Sequence, residues 1–334
     1  MSKENRISKE NMRELLEFLS KERTLVGPVD TGKVIENREA AVSEILMDDR
    51  IAYNSIKAYY FPQTELMFTF ENEDTKDNTE IPGYVIFGAK PCDMEALRVM
   101  SVVYTTGKYA DPFFQRRFDA NLLIGVGCVN EKPECFCNEM SIDKGFSDFC
   151  DIMLKDHGDS YSVEYISDKG RQALEEYRVN DIHTGKSADI FLDVTRHSVN
   201  YILTEKEDAD YFDIIDWAKV TEACKGCGIC TYICPTCYCF DFKDVSKKGK
   251  AERYKCWDSC MYPKFTLHAS GHNPREHRFE RYRQRVLHKY KYVPLNFDGC
   301  VACTGCGRCV RGCPVGINIR DIVKLILQEQ GSEQ

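Results

Sequence analysis

Cys224-Lys-Gly-Cys227-Gly-Ile-Cys230-Thr-Tyr-Ile-Cys234-Pro235 returns in kind at Cys303-Thr-Gly-Cys306-Gly-Arg-Cys309-Val-Arg-Gly-Cys313-Pro314. Three thiolates within seven residues wrap three corners of an iron–sulfur cubane, and where two such runs share a chain the fourth cysteine of each ligates the other cluster. The spacing therefore predicts one [4Fe-4S] cluster on Cys224, Cys227, Cys230 and Cys313, and a second on Cys303, Cys306, Cys309 and Cys234. Gly226, Gly228, Gly305 and Gly307 let the backbone turn closely around the inorganic core and leave amides free to donate toward sulfur. Two structural zinc sites are the alternative, since zinc also accepts four thiolates. Zinc usually draws its ligands as two pairs, however, not as a triple followed by Cys-Pro.

The two motifs, each of the bacterial ferredoxin pattern, begin 79 positions apart (303 minus 224), so a substantial segment separates them. It carries further thiols in Cys237-Tyr-Cys239 and Cys256-Trp-Asp-Ser-Cys260. These four are a candidate site for another cluster, the alternative being buried or reactive free thiols. A third set lies upstream: Cys92, then Cys128, Cys135 and Cys137. Both upstream segments directly follow apolar runs that read as strands, Gly83 to Ala89 and Asn121 to Gly127. In an open α/β sheet the carboxyl ends of strands form the crevice where ligands bind, so these thiols are expected to converge there. Cys150 and Cys300 stay unassigned.

The chain has 334 residues and 18 cysteines, of which five precede residue 200 and thirteen crowd between Cys224 and Cys313. That asymmetry predicts an α/β domain over 1–205, followed by a mostly helical, two-cluster ferredoxin-like domain over 206–334. In the first part, Met12, Leu15, Leu16 and Leu19 share one helical face, and Asp93 to Val103 reads as a second helix. In the second, a short helix is expected around Ile214 to Val220, a Lys-rich turn at Ser246 to Lys250, and a closing helix around Ile319 to Gln330. With 53 acidic against 45 basic residues, the net charge of -8 argues against nucleic acid as a partner. The longest nearly apolar run, Leu122 to Val129, is far short of the ~20 residues needed to cross a bilayer. The polar start MSKENRISKE carries no export signal, so a cytoplasmic protein with reduced, metal-ligating cysteines is expected.

Arg275 to Lys291 concentrates basic residues in an acidic protein, either to tune cluster charge and dock an acidic partner or as a solvated helix face. His268, His272, His277 and His288 fall in the same region, where imidazole is able to replace thiolate, although the cysteines suffice and packing roles are expected.

Several combinations together resemble one family. They are Phe87-Gly-Ala-Lys-Pro-Cys-Asp93, Cys135-Phe-Cys137, Cys234-Pro-Thr-Cys-Tyr-Cys239, Trp257-Asp-Ser-Cys260, Gly271-His-Asn-Pro-Arg-Glu276 and Arg283-Gln-Arg-Val-Leu-His-Lys289. The chain resembles the beta subunits of sulfhydrogenases, the cytoplasmic NAD(P)-linked hydrogenases, with a 4Fe-4S electron-transfer component of anaerobic sulfite reductase as a relative. That resemblance implies a non-catalytic electron-transfer subunit beside an FAD-containing NAD(P)H-oxidoreductase subunit, with a hydrogenase or other catalytic subunit as the further partner. The residues agree: Gly125-Val-Gly127 continues without a third glycine or a helix start, a poor dinucleotide site, and no Walker loop is present. Two alternatives stay open. The same subunit would serve a sulfite or sulfur reductase or a bifurcating transhydrogenase, or the chain would itself reduce sulfur at a cluster on Cys92, Cys128, Cys135 and Cys137.

Overall fold

The computed structural model describes residues 5–71, 74–77, 81–177, 201–203, 207–247 and 249–332. Its strands are β1 (Arg6–Ser8), β2 (Thr24–Asp30), β3 (Ile35–Glu39), β4 (Thr64–Glu71), β5 (Asp74–Asp77), β6 (Tyr84–Ala89), β7 (Leu122–Val126), β8 (Ile152–Asp156), β9 (Ser160–Tyr165), β10 (Phe240–Lys247) and β11 (Lys250–Trp257). Seven of them form one sheet in the order β1-β9-β8-β7-β6-β2-β3. Its centre, β2, β6, β7 and β8, is parallel, and the flanking strands β3 and β9 run antiparallel.

The apolar runs make the centre because alternate residues feed two cores. Val85, Phe87, Ile124, Ile152 and Leu154 pack on one face with Met12, Leu15, Leu16 and Leu19 of helix α1 (Lys9–Leu19). Ile86, Leu123 and Met153 pack on the other with Met94, Leu97 and Met100 of helix α2 (Pro91–Thr105). Ser8 caps α1 by accepting from the Asn11 amide, and Pro91 opens α2, where its missing N–H has no intrahelical partner to lose. A parallel strand buried on both faces reads as a continuous apolar run, which is why β6 and β7 were legible.

The second half departs from the expected mostly helical character. The Lys-rich turn joins two eight-residue strands, β10 and β11, with Gly249 in the left-handed region at φ 80°. β11 then pairs antiparallel with β4, from Cys256 opposite Thr64 to Lys250 opposite Glu71, giving a second sheet in the order β10-β11-β4-β5. This sheet draws two strands from each side of residue 205. The reason is pairing with a strand some 180 positions away, which no local period reveals.

The other expected elements are present in altered form. The short helix near Val220 is Trp217–Val220, preceded by Asp208–Asp213, and the closing helix runs Ile319–Ser332. A third core gathers around the two motifs, combining Tyr282, Val286, Leu287 and Tyr290 with Val323 and Ile326, and with Phe136 and Met140 from the loop after β7.

Candidate metal centres

The first motif turns through two glycines, Gly226 at φ 66° and Gly228 at φ 76°, before the short helix Ile229–Tyr232. The second repeats the turn with Gly305 at φ 61° and Gly307 at φ 69°, before Arg308–Arg311. Only glycine adopts this region without cost, so both loops curl back on themselves. Cys224, Cys227, Cys230 and Cys313 line one cavity. Cys303, Cys306, Cys309 and Cys234 line a neighbouring one. The first is thus lined by three cysteines of its own motif with Cys309 and Cys313 of the other, and the second by three of its own motif with Cys234. Backbone amides donate to sulfur as well, Gly226 to Cys224 Sγ at 3.4 Å and Ile317 to Cys313 Sγ at 3.3 Å.

A third cavity is lined by Cys237, Cys239 and Cys260, with Tyr238, His288 and Lys289. Cys256, expected to join them, is not part of this lining. On β11 its neighbours Lys255 and Trp257 point to one side, where Lys255 Nζ meets Glu65 at 2.7 Å and Trp257 stacks on Phe61. Alternation therefore turns Cys256 to the other face, beside Tyr254 and Lys243.

One positively charged stripe joins the three cavities. Arg281, Arg285 and Lys289 recur every four residues and lie buried along one side of the helix Arg278–Leu287 and the wide helical turn His288–Tyr292 that extends it. Arg285 lines all three cavities and donates through Nη2 to the Cys230 carbonyl at 3.2 Å, yet its Nε and Nη1 have no hydrogen-bond partner. Burial works against its charge, but the neighbouring Cys230 and Cys309 sulfurs outweigh burial and hold it protonated. An unpartnered guanidinium in a dry interior is costly unless an anion faces it, and a thiolate-ligated cluster is such an anion. Lys289 Nζ donates to Cys234 Sγ at 3.3 Å and to Thr236 Oγ1 and the Ala302 carbonyl at 2.9 Å each. A hydrogen bond from Cys237 and the charges of Lys289 and Arg285 overcome burial and hold the Cys234 thiol well below its usual range. Cys239 is similarly pulled down to about 7, first by a hydrogen bond from Cys260. Lys57, for which sequence reading offered no signal, stacks on Trp257 at 3.9 Å and donates to the Cys237 carbonyl at 2.9 Å. Burial brings it down to about 8 against the pull of Cys237 and Cys234.

The upstream thiols meet the second motif directly. The Phe136 amide donates to the Gly305 carbonyl at 2.7 Å, and a Cβ on Gly305 would lie 2.6 Å from Phe136 and Cys137 backbone. Cys135 Sγ sits 3.6 Å from the Cys306 carbonyl and accepts from Arg311 Nη1 at 3.7 Å. Cys137 has Cys135 and Cys128 as electrostatic neighbours, and Cys92 has Cys306 and Cys137. Lys90, buried beside Cys128 and Cys92, has no hydrogen-bond partner for its ammonium. Its charge faces Cys128, Asp49, Cys92 and Asp48. Arg308, one residue before Cys309, forms a buried pair with Asp93, one residue after Cys92, at 2.8 Å. The pairing spans 215 positions, which no local pattern of the sequence reveals.

The remaining residues separate cleanly. Cys150 and Cys300 are core thiols. His268, His272 and His277 are exposed, whereas His288 is packed against Tyr238, and burial with the charges of Lys289 and Arg275 brings it down to about 4. Among the described residues, no three His, Cys, Asp or Glu side chains converge closely enough to hold a single metal ion. The thiols stand instead around cavities, as a group with four metal corners asks. No helix among the described residues is long and apolar enough to cross a membrane.

Comparison with known proteins agrees with this geometry. Residues 223–317 match the family described as 4Fe-4S dicluster domain. Sulfhydrogenase 2 subunit beta of Pyrococcus furiosus is 30% identical over 314 residues, covering 87% of this chain and 88% of that protein. No solved structure matches.

Proposed function

This chain belongs to the family of sulfhydrogenase beta subunits, and on that footing we propose that it relays single electrons between two cytoplasmic partners, an FAD-containing NAD(P)H oxidoreductase and the catalytic subunit of a hydrogenase. The observation that carries the reading is the pair of adjoining cavities, each completed by a cysteine of the opposite motif and sharing Cys309 and Arg285 in their walls. Groups held that close exchange electrons without any movement of the chain. Clusters bound there supply one-electron couples, and their potentials follow from net charge, hydrogen bonds to sulfur and exposure.

The residues of this chain do the rest. Arg285 and Lys289 hold fixed positive charge against the thiolates, the Gly226 and Ile317 amides donate to sulfur, and Tyr282 and Met261 exclude water from the first cavity. Cys227 is exposed, which gives the first cavity an edge at the surface for a partner to approach. Cys92, Cys128, Cys135 and Cys137 extend the path to the sheet side of the molecule, with Lys90 as their counter-charge. Cys237, Cys239 and Cys260 offer another station beside Lys289.

Iron and acid-labile sulfide per chain, measured on protein purified without oxygen, test this. About eight irons correspond to the two motif clusters alone, and about twelve or sixteen to the extended path. Cys306→Ser is expected to remove one low-potential EPR signal of the pair. A chain without iron, or one whose signals all survive that substitution, overturns the reading.

A further inference from the structure

We propose that the cavity of Cys237, Cys239 and Cys260 holds a [4Fe-4S] cluster whose fourth ligand is the imidazole of His288, not the thiol of Cys256. The inference deepens the electron-relay reading and rests on it only in that the chain loads clusters. The cavity adjoins the second motif cavity, shares Thr236, Arg285 and Lys289 with it, and is likewise walled by cysteine thiols. Three thiols line it and a fourth ligand is needed to close the set.

The nearest cysteine by sequence is Cys256, but strand parity removes it. Bringing its sulfur inward requires β11 to slip by one residue, which would expel Lys255 from its buried bond to Glu65 and Trp257 from its stack on Phe61. His288 already stands in the wall. Its Nε2 lies 3.3 Å from the Tyr238 hydroxyl, the kind of contact through the second nitrogen that orients a ligating ring, so the proposal assigns ligation to Nδ1. The ring opens the wide helical turn His288–Tyr292, a distortion frequent at functional sites. Positive groups face the same space: Lys289, two unpartnered N–H groups of Arg285, and Lys57 on the Cys237 carbonyl. The three thiols lose their protons when the metal binds, and the neutral imidazole loses none.

Replacing a thiolate by imidazole leaves the cluster one negative charge poorer and raises its potential. The cavity therefore provides an electron sink beside two all-cysteine clusters, a place where charge collects before it leaves the chain.

The test uses the full chain, loaded in vivo and purified without oxygen. Pulsed EPR of the reduced protein is expected to show a strongly coupled nitrogen that changes on 15N-histidine labelling. Cys256→Ala is expected to keep the wild-type iron, Cys260→Ala to lose about four irons, and His288→Cys to keep its iron while losing the nitrogen coupling and titrating at lower potential. The proposal is overturned if Cys256→Ala loses as much iron as Cys260→Ala, if Cys260→Ala loses none, or if no histidine nitrogen couples to any cluster. Failure of the relay reading is a separate result, because it is read from Cys306→Ser.

Discussion

Lys289→Met isolates the charge that the fold holds against the second cluster site. The ammonium stands 3.3 Å from Cys234 Sγ and is buried at 3% exposure. An electron added to a cluster spreads over the core, so its mean distance from Nζ is roughly 5–6 Å; at an effective dielectric of about 20 the attraction is about 3 kcal/mol. One electron moving through 100 mV corresponds to about 2.3 kcal/mol, so removing the charge lowers the potential by on the order of 100 mV. Lys289 also lines the third cavity but not the first, so the cluster on Cys224, Cys227, Cys230 and Cys313 serves as an internal reference. The assay is an EPR-monitored redox titration of the anaerobic protein, with iron content measured alongside. Lys289→Arg, which keeps the charge, is expected to restore most of the potential. A potential unchanged within about 30 mV at full iron content, against the scale worked above, refutes the reasoning. So does an equal shift of all clusters.

Three further outcomes follow from the contacts that hold the two halves together. Burial raises the Glu139 carboxyl, but Arg320, Tyr201 and Lys324 outweigh it and hold it at about 2. A carboxyl depressed in the fold stabilises fully above its unfolded value near 4.5, and this contribution is lost as pH falls from there toward 2. Glu139→Gln is therefore expected to lower the melting temperature at pH 7 by an amount equivalent to on the order of 1–2 kcal/mol, with the difference vanishing near pH 2. Arg308→Met strands the buried Asp93 carboxylate and is expected to destabilise by about 3–5 kcal/mol, with Asp93→Asn on the same background recovering part, as read by anaerobic thermal melts. Gly305→Ala forces a Cβ to 2.6 Å from the Phe136–Cys137 backbone at a φ of 61°. It is expected to lower iron at the second motif while the signal of the first survives, and unchanged iron would refute the close-contact argument.

Much of the site was legible because cluster ligation is local. Seven residues carry three thiols to one inorganic core whatever surrounds them, so spacing alone identifies both motifs. The strands β6 and β7 were legible for a similar reason, since a doubly buried strand is a continuous apolar run. The stripe of Arg281, Arg285 and Lys289 reads from sequence either as cluster tuning or as a solvated face, and the fold buries it. Its four-residue recurrence was visible, but charged residues on one helix face point to solvent unless something anionic lies opposite.

The sequence by itself determined the cluster motifs, two of the central strands and the family to which the chain belongs. Tertiary structure decided what those pieces meet. β11 lies beside β4 only after the chain has closed a loop of some 180 residues, and that pairing sets the parity that turns Cys256 away from the third cavity. Arg308 finds Asp93, and Cys135 finds the Cys306 loop, by the same route. Ligand spacing is covalent and reads along the chain. Strand parity and buried counter-charges depend on partners tens to some two hundred positions away, which only packing brings together.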